Sequence, residues 1–324
     1  MCKIRSTVAI LLAGGIADGF QTGTIPKYKA LLPVCGQPIA NHVIRALEQS
    51  NVEKIFVIVD DDATIQEALT ANSKCIFYRK DRLHNPFSLS MLYGLEKVAE
   101  YYGHPQINQK SIMIVPCDIP LVTKDNFNAL IEKAANNHAD VTIPIIAENL
   151  IKERFPQRCF RSVYLADYKG RYTLQFLGFM NGEHILFEPS REPERMKISF
   201  RGVEYERVIK LKETLDTLRD HRHHNYSLPR FTDKFAICRL IRKGYTVYVF
   251  RFIFNLIFNR LTMAKIIKYL NGACQFNIAY IVSEEVEIFA DIDRPEDFPI
   301  VLGIPWDNEM GSTGTSTNLT MDES

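Results

Sequence analysis

The amino-acid sequence predicts an α/β fold in which a mostly parallel sheet is flanked by helices on both faces. Short apolar segments alternate with amphipathic ones over the first half of the chain, an alternation typical of strand–helix–strand units. Such units join parallel strands by crossover connections, which cover both faces of the sheet with helices. With 324 residues, of which 46% are hydrophobic, the chain is long enough to bury a full core.

Each element of this prediction has its own sequence signal. The predicted strands are apolar runs bounded by turn residues, and they cover residues 8–14, 54–60, 74–79, 111–118 and 140–146. The predicted helices carry apolar residues at helical spacing, and they cover residues 38–50, 63–72, 89–102 and 124–138. Ligands of such sheets bind beyond the carboxyl ends of the strands, so we expect the functional site at that edge.

The regular alternation breaks at about residue 149. We therefore predict one domain over 1–310, with a core of 1–148 and 275–305 and a helical insertion at about 149–274. Residues 278–293 have the pattern of a strand or a strand pair that returns to the sheet. The last residues, 311–324, are too polar to pack and are predicted to be a disordered tail.

Composition excludes several classes of function. The formal net charge is +1, which gives no general basic field for nucleic acid. The seven cysteines form no C-x-x-C pair, which argues against a zinc site and predicts reduced thiols in a cytoplasmic protein. No uncharged apolar stretch reaches the length of about 18 residues that a spanning helix needs.

The most informative stretch is VAILLAGGIADGFQTGTIPKYKALLPVCGQPI, residues 8–39. Its first strand ends in Gly14 and Gly15, and a lysine-bearing loop follows. A layout of this kind presents backbone N–H groups and one ammonium to a polyphosphate, although a glycine pair after a strand is also ordinary turn chemistry. Two acidic motifs downstream, PCDIP with Asp118 and DIDRPED with Asp293, could hold the divalent metal that such a site needs.

These motifs resemble those of the MobA-like NTP transferase superfamily, whose pattern is a strand, an LAxG turn, and a lysine followed by a PV-x-G-x-P loop. The two turn glycines match, Lys29 matches the nucleotide-binding lysine, and Gly36 with Pro38 matches the loop. Lys27 is the alternative lysine, but its spacing to the loop fits less well. The resemblance extends to the closing DIDRPED and implies the GT-A-like nucleotidyltransferase fold.

The resemblance assigns Mg²⁺ ligation to Asp118 and Asp293, with Asp291 as the alternative second ligand. Taken by itself, Asp118 could be a turn-forming residue that bonds nearby N–H groups. Asp293 could equally begin the helix that follows at Pro295. Mg²⁺ retains several waters and substrate oxygens, so two protein carboxylates would suffice.

The resemblance also implies a nucleobase pocket. Backbone groups of Leu12 and Ala13 would contact the base, and Ser88 or Ser90 of NPFSLSMLYGL would bond to it. A serine at this point can instead cap the helix, and we expect this of Ser90. The base itself is not predicted.

One departure from the family pattern stands in the glycine turn. Many relatives carry an arginine there that holds the triphosphate, whereas this chain has Ala17, Asp18 and Gly19. Another cation must substitute for the arginine, or triphosphate binding is weaker.

A second group of basic residues lies in the C-terminal half. Residues 234–283 contain eight Lys or Arg and no Asp or Glu, the pattern of a solvated basic face or of a peripheral contact with acidic lipid head groups. Arg154, Arg158 and Arg161 are candidates for binding an acceptor phosphate, because the guanidinium fork fits phosphate oxygens.

The sequence therefore predicts an Mg²⁺-dependent nucleotidyltransferase. Its partners would be an NTP and a phosphorylated small-molecule or lipid-precursor acceptor, with Lys29 and Asp118 as catalytic residues and pyrophosphate as the leaving group. Two alternatives belong to other classes: a metal-dependent glycosyltransferase using a nucleotide-sugar, and a catalytically inactive nucleotide-binding module. The single aspartate of PCDIP favours nucleotidyl transfer, because a glycosyltransferase would be expected to have an Asp-x-Asp motif there.

Overall fold

The fold is taken from a computed structural model of the chain. It describes residues 5–17, 20, 27–60, 63–69, 72–80, 87–103, 105–137, 139–158, 162–174, 177–189, 196–200, 203–204, 255, 260–274 and 277–303. Asp18, Gly19, Arg161, most of the basic region before residue 260 and the predicted tail lie outside these residues. None of the helices within the described ranges is long and apolar enough to cross a membrane.

The five strands predicted in the first half of the chain are present with ends shifted by no more than two residues, and the structure has further strands besides them. In chain order the strands are β1 (Ser6–Leu12), β2 (Pro33–Val34), β3 (Gln37–Pro38), β4 (Val52–Asp60), β5 (Cys75–Lys80), β6 (Lys110–Pro116), β7 (Val141–Ala147), β8 (Val163–Leu165), β9 (Gly170–Leu174), β10 (Gly178–Asn181), β11 (Ile185–Pro189), β12 (Met196–Phe200), β13 (Val203–Glu204) and β14 (Ile278–Val282).

The helices also follow the prediction. They are α1 (Ile39–Gln49), α2 (Ala63–Ala68), α3 (Phe87–Tyr102), α4 (Lys124–Ala135), α5 (Glu148–Arg154), α6 (Met263–Cys274) and α7 (Asp297–Leu302). Thr123 caps α4 in a reciprocal arrangement with Asn126, as its position before the helix indicates. The segment 278–293 contains one strand, and a 3₁₀ turn at Val286–Phe289 follows it, so the single-strand alternative is correct.

The central sheet has nine strands among the described residues, in the order β5-β4-β1-β6-β10-β7-β9-β8, with β14 also paired to β7. Strands β5, β4, β1 and β6 are mutually parallel, and β14 is parallel to β7. Strand β10 is antiparallel to both β6 and β7, which makes β6 and β7 parallel to each other. The predicted α/β fold with a mostly parallel mixed sheet is confirmed.

The sheet buries apolar side chains on both faces, which is why its strands read as continuous apolar runs. On β1, Ala9 and Leu11 join the core beneath α1 and α4, while Val8 and Ile10 join the core beneath α3. Helix α3 lies close to β1 at Gly94, where a Cβ would be 2.5 Å from a methyl carbon of Ile10. The sheet is therefore the rigid platform from which the loops of its carboxyl edge project.

Part of the range predicted as an insertion belongs to this sheet. Strands β8, β9 and β10 all lie after residue 149, and β10 stands between β6 and β7. Helix α6 packs against β7 and β8 of this sheet, with Met263 in one cluster with Ile145 and Leu165. The division into a core and an insertion remains a prediction, since most of 205–259 lies outside the described residues.

Candidate active site

The glycine turn after β1 pairs with the segment that carries the lysines. The Lys29 N–H donates to the Gly15 carbonyl at 2.8 Å, and the Ala17 N–H donates to the Lys27 carbonyl at 3.0 Å. Ile16 and Tyr28 form an antiparallel bridge between these two bonds. The backbone of Lys29 is thus held directly beside the turn, although 13 residues separate it from Gly15 in sequence.

The two glycines of the turn have different surroundings. A Cβ on Gly14 would lie 2.7 Å from Oδ1 of Asp60, the last residue of β4, so only glycine fits there without movement. A Cβ on Gly15 would meet nothing within 4 Å. Gly15 therefore faces open space at the edge of the sheet, where a phosphate chain could approach its backbone.

The loop after Lys29 is a two-residue hairpin turn between β2 and β3. Cys35 and Gly36 both have positive φ, at 48° and 74°, which is the pattern of a type I′ turn. The Ile39 N–H donates to the Leu32 carbonyl at 2.8 Å and closes the base of this hairpin. The requirement for positive φ accounts for the glycine of the PV-x-G-x-P pattern.

The two acidic motifs meet at the carboxyl end of β6. The Ile292 N–H donates to the Asp118 carbonyl at 2.9 Å, which joins the DIDRPED loop to the end of the strand. The Asp297 carboxylate accepts bonds from the N–H groups of Asp293 at 2.8 Å and Arg294 at 2.9 Å. It is Asp297 that organises the start of α7, which leaves the Asp293 side chain available to face the strand end.

Lys29 joins both acids. Its Nζ donates to Oδ2 of Asp118 and to Oδ1 of Asp293. The side chains of Lys29 and Asp118 are 14% and 16% exposed, whereas that of Asp293 is 55% exposed, so the pair with Asp118 is the better shielded from water. The structure thus brings the three residues to one point, and both carboxylates contact a single cationic group.

The charges of this cluster shift the pKa values of its members. Burial acts to lower the pKa of Lys29, but Asp118 and Asp293 outweigh it and hold that pKa above its ordinary value. Burial acts to raise the pKa of Asp293, but Lys29 outweighs it and that pKa is lowered. Lys29 therefore remains an ammonium, and Asp293 a carboxylate, throughout the physiological range.

The site fits a divalent cation with oxygen ligands. Oδ1 of Asp118 is buried and has no hydrogen-bond partner among the described residues, an arrangement that is costly for a carboxylate oxygen unless a cation reaches it. Across the described ranges, no group of three or more His, Cys, Asp or Glu forms a metal cluster. Two carboxylates at one point suit Mg²⁺, which completes its shell with water and phosphate oxygens.

Asp291, the alternative second ligand, has a different partner. Its Oδ1 accepts a hydrogen bond from Nη2 of Arg158 at 2.5 Å. Burial raises the pKa of Asp291, and Arg158 opposes that shift. Lys29 therefore bonds to Asp293, whereas Asp291 bonds to Arg158. The Arg158 guanidinium, a candidate for binding an acceptor phosphate, is thus bonded to a carboxylate of the site.

Of the predicted base-binding residues, Leu12 and Ala13 lie at the carboxyl end of β1, whereas Ser88 and Ser90 lie in the first turn of α3. Leu12 ends β1, and the N–H of Ala13 donates to the Ile58 carbonyl at 2.9 Å, so the carbonyl of Ala13 is its remaining backbone group for a base. Helix α3 begins at Phe87, which places Ser90 inside the helix. The expectation that Ser90 caps this helix is wrong.

Ser90 has a hydrogen-bonding role toward the sheet. Its hydroxyl accepts from Nζ of Lys80, the last residue of β5, at 2.7 Å. Lys80 is 6% exposed, and burial lowers its pKa to about 8 against the opposing effect of Asp60. The sequence analysis did not single out Asp60, which ends the predicted strand 54–60, or Lys80, which directly follows the predicted strand 74–79. Their positions at strand ends were a usable signal.

The chain matches a known protein family. The model of the MobA-like NTP transferase domain matches residues 9–185. The bifunctional protein GlmU of Geobacillus thermodenitrificans is 30% identical over 137 residues, which cover 42% of this chain and 27% of that protein. The GlmU of Staphylococcus epidermidis is 26% identical over 135 residues, with the same two coverages. The chain thus spans 27% of the length of these curated relatives.

A solved structure supports the fold. The hypothetical transferase from Thermus thermophilus aligns with a TM-score of 0.58 and 20% identity, over 90% of this chain and 99% of that one. At this level of identity the similarity concerns the fold alone.

Proposed function

The chain belongs to the MobA-like NTP transferase family, and on that premise we propose that it transfers a nucleoside monophosphate from an NTP to a phosphorylated small-molecule or lipid-precursor acceptor, releasing pyrophosphate. The observation that carries the proposal is the contact of one ammonium, Lys29, with two carboxylates from distant motifs, Asp118 and Asp293. These charges lie beside the glycine turn, at the edge of the sheet where ligands of such folds bind.

The chain's own residues divide the work of binding. The backbone amides of Gly14 and Gly15 would hold the terminal phosphates, and Lys29 would offset the charge that develops on the α-phosphate oxygens. Asp118 and Asp293 would hold Mg²⁺, which when bound neutralises phosphate charge and orients the triphosphate. Lys29 can contact both the phosphates and the metal-binding acids, because its backbone is bonded to Gly15 and its ammonium to Asp118 and Asp293.

The reaction is an in-line displacement. An acceptor oxygen forms a bond to the α-phosphorus, the bond from that phosphorus to the bridging oxygen of the β-phosphate breaks, and pyrophosphate leaves. An ionised acceptor phosphate attacks without losing a proton, so a general base is unnecessary. Cys117, the residue directly before Asp118, has its pKa raised by burial and by Asp118 to about 12. A covalent enzyme intermediate through this thiol is therefore disfavoured at neutral pH.

The test is release of pyrophosphate. The protein is incubated with each NTP, Mg²⁺ and a panel of sugar, alcohol and lipid phosphates, and pyrophosphate is measured for the wild type, for Asp118→Asn and for Asp125→Asn. Asp125 is an exposed carboxylate in the first turn of α4 and serves as the matched control. We expect Asp118→Asn to lose about 10²-fold to 10³-fold in rate and Asp125→Asn to retain the wild-type rate.

Other results would decide against the proposal. Undiminished pyrophosphate release by Asp118→Asn would remove that residue from the mechanism. Release of a nucleoside diphosphate from a nucleotide-sugar would identify a glycosyltransferase. Tight NTP binding with no turnover on any acceptor would identify an inactive nucleotide-binding module.

A further inference from the structure

We propose that Arg158 is a positioning residue for the metal-binding carboxylates: through its ion pair with Asp291 it holds the DIDRPED loop so that Asp293 faces Asp118. The inference deepens the proposed function and rests on it, because it concerns the same site. Arg158 bonds to Asp291, which lies two residues before Asp293, so it would act on Asp293 by holding the loop that carries both.

The two partners of this pair are anchored in the same core. Arg158 follows α5, where its N–H donates to the Phe155 carbonyl at 3.1 Å, and Phe155 is 4% exposed. Asp291 follows Phe289 and Ala290, which are buried in the core cluster that also contains Phe155. The ion pair therefore ties the acidic loop, where it leaves this core, to a segment that packs in the same core.

The pair is well shielded on the arginine side. The side chain of Arg158 is 9% exposed and that of Asp291 is 27% exposed. A guanidinium this far removed from water needs a carboxylate partner, because an unpaired buried charge is unfavourable. Its carboxylate partner is 133 positions away in sequence, so the bond fixes the loop relative to the sheet.

Charge explains why the loop needs a second cation. The charges of Asp118 and Asp293 act on Asp291, and Lys29 bonds to Asp118 and Asp293. Neighbouring like charges repel, so without Arg158 the Asp291 carboxylate would turn away from the site or compete with Asp293 for Lys29. Arg158 removes that competition, and the Ile292 N–H bond to Asp118 then holds Asp293 in register with the strand end.

This role makes a prediction opposite in sign to simple electrostatics. A positive charge near a cation site weakens cation binding, so loss of a bystander arginine would tighten Mn²⁺ binding. Loss of a positioning arginine weakens it, since partners that orient metal ligands typically contribute about 10-fold to 100-fold in affinity. Arg158→Met should therefore bind Mn²⁺ at least about 10-fold more weakly than the wild type.

The full chain is titrated with Mn²⁺ in the absence of nucleotide, and electron paramagnetic resonance measures the free ion. Arg158→Lys keeps the charge and one donor, and we expect it to recover most of the lost affinity. Arg171→Met is the control, because Arg171 forms its ion pair with Glu148 at 2.8 Å and not with an aspartate of the acidic loop. Circular dichroism checks folding, and Arg158→Gln replaces the Met variant if that variant does not fold.

The outcomes separate this inference from the function on which it rests. Equal or tighter Mn²⁺ binding by the neutral variant overturns the inference alone, as does an Arg158→Lys protein that binds as weakly as Arg158→Met. Absence of pyrophosphate release from a wild type that shows the expected Mn²⁺ pattern overturns the proposed function alone. A wild type that binds no Mn²⁺ overturns both.

Discussion

Lys29→Met should tighten the binding of a divalent ion while it slows turnover. The ammonium of Lys29 bonds to one oxygen of Asp118 and one of Asp293, which are the oxygens that the ion would use. Without nucleotide, the ammonium and the ion therefore compete for the same position. Methionine has a similar length and no charge, so it removes the competitor with little change in volume.

The geometry sets the size of the effect. At an effective dielectric constant of about 20, a cation about 4 Å from a carboxylate gains about 4 kcal/mol. The pair with Asp293 contributes less, because that carboxylate is 55% exposed and water screens it. Solvation of the released ammonium offsets part of the gain, which leaves about 1.4 to 2.8 kcal/mol, or about 10-fold to 100-fold in affinity.

The assay is a Mn²⁺ titration without nucleotide, with pyrophosphate release measured on the same preparations. Lys27→Met is the control, because Lys27 is exposed and its ammonium lies over the ring of Tyr28, 5.0 Å from the ring centre. We expect tighter Mn²⁺ binding and a rate about 10²-fold to 10³-fold lower for Lys29→Met, and unchanged Mn²⁺ affinity for Lys27→Met. Equal or weaker Mn²⁺ binding by Lys29→Met would refute the competition.

Three further predictions follow from the strand ends. Gly14→Ala should lower the free energy of unfolding in urea by about 1–3 kcal/mol, because its Cβ would lie 2.7 Å from the Asp60 carboxylate. Gly15→Ala should change that free energy little, because its Cβ would meet nothing within 4 Å. Equal losses in the two variants would contradict this reasoning. Because burial lowers the pKa of Lys80 from 10.5 to about 8, the unfolded chain binds more protons between these values. The free energy of unfolding of the wild type should therefore rise with pH across that window, by up to about 3 kcal/mol relative to Lys80→Met. The same dependence of that free energy on pH in both proteins would contradict the prediction. A chelator should stop pyrophosphate release and added Mg²⁺ should restore it; turnover that persists would exclude a metal requirement.

The sheet was predictable because its signals are local. Each apolar run of the first half specifies a strand, and parallel strands joined by helices must bring their carboxyl ends to one edge. Gly15 and Asp118 could for that reason be placed at the same edge without knowledge of the strand order. The return of Asp293 to that edge came from the family resemblance, since no local pattern joins residues this distant.

What the sequence left open depends on long-range pairing. Strand β10 has four residues and stands antiparallel between two parallel strands, a position that its short pattern does not reveal. The ion pair of Arg158 with Asp291 spans 133 positions and follows only from the packing of α5 against the turn before Asp291. Ser90 resembles a cap in sequence, but the helix begins at Phe87.

The central claim is that Asp118 and Asp293 hold one divalent ion between them. The most direct test is the stoichiometry and affinity of Mn²⁺ binding, in the presence of the NTP that supports turnover, for the wild type, Asp118→Asn and Asp293→Asn. We predict one ion per wild-type chain and an affinity lowered by about 10-fold or more in each variant. Two ions per chain, each lost with a different aspartate, or an affinity that neither substitution changes, would contradict the claim.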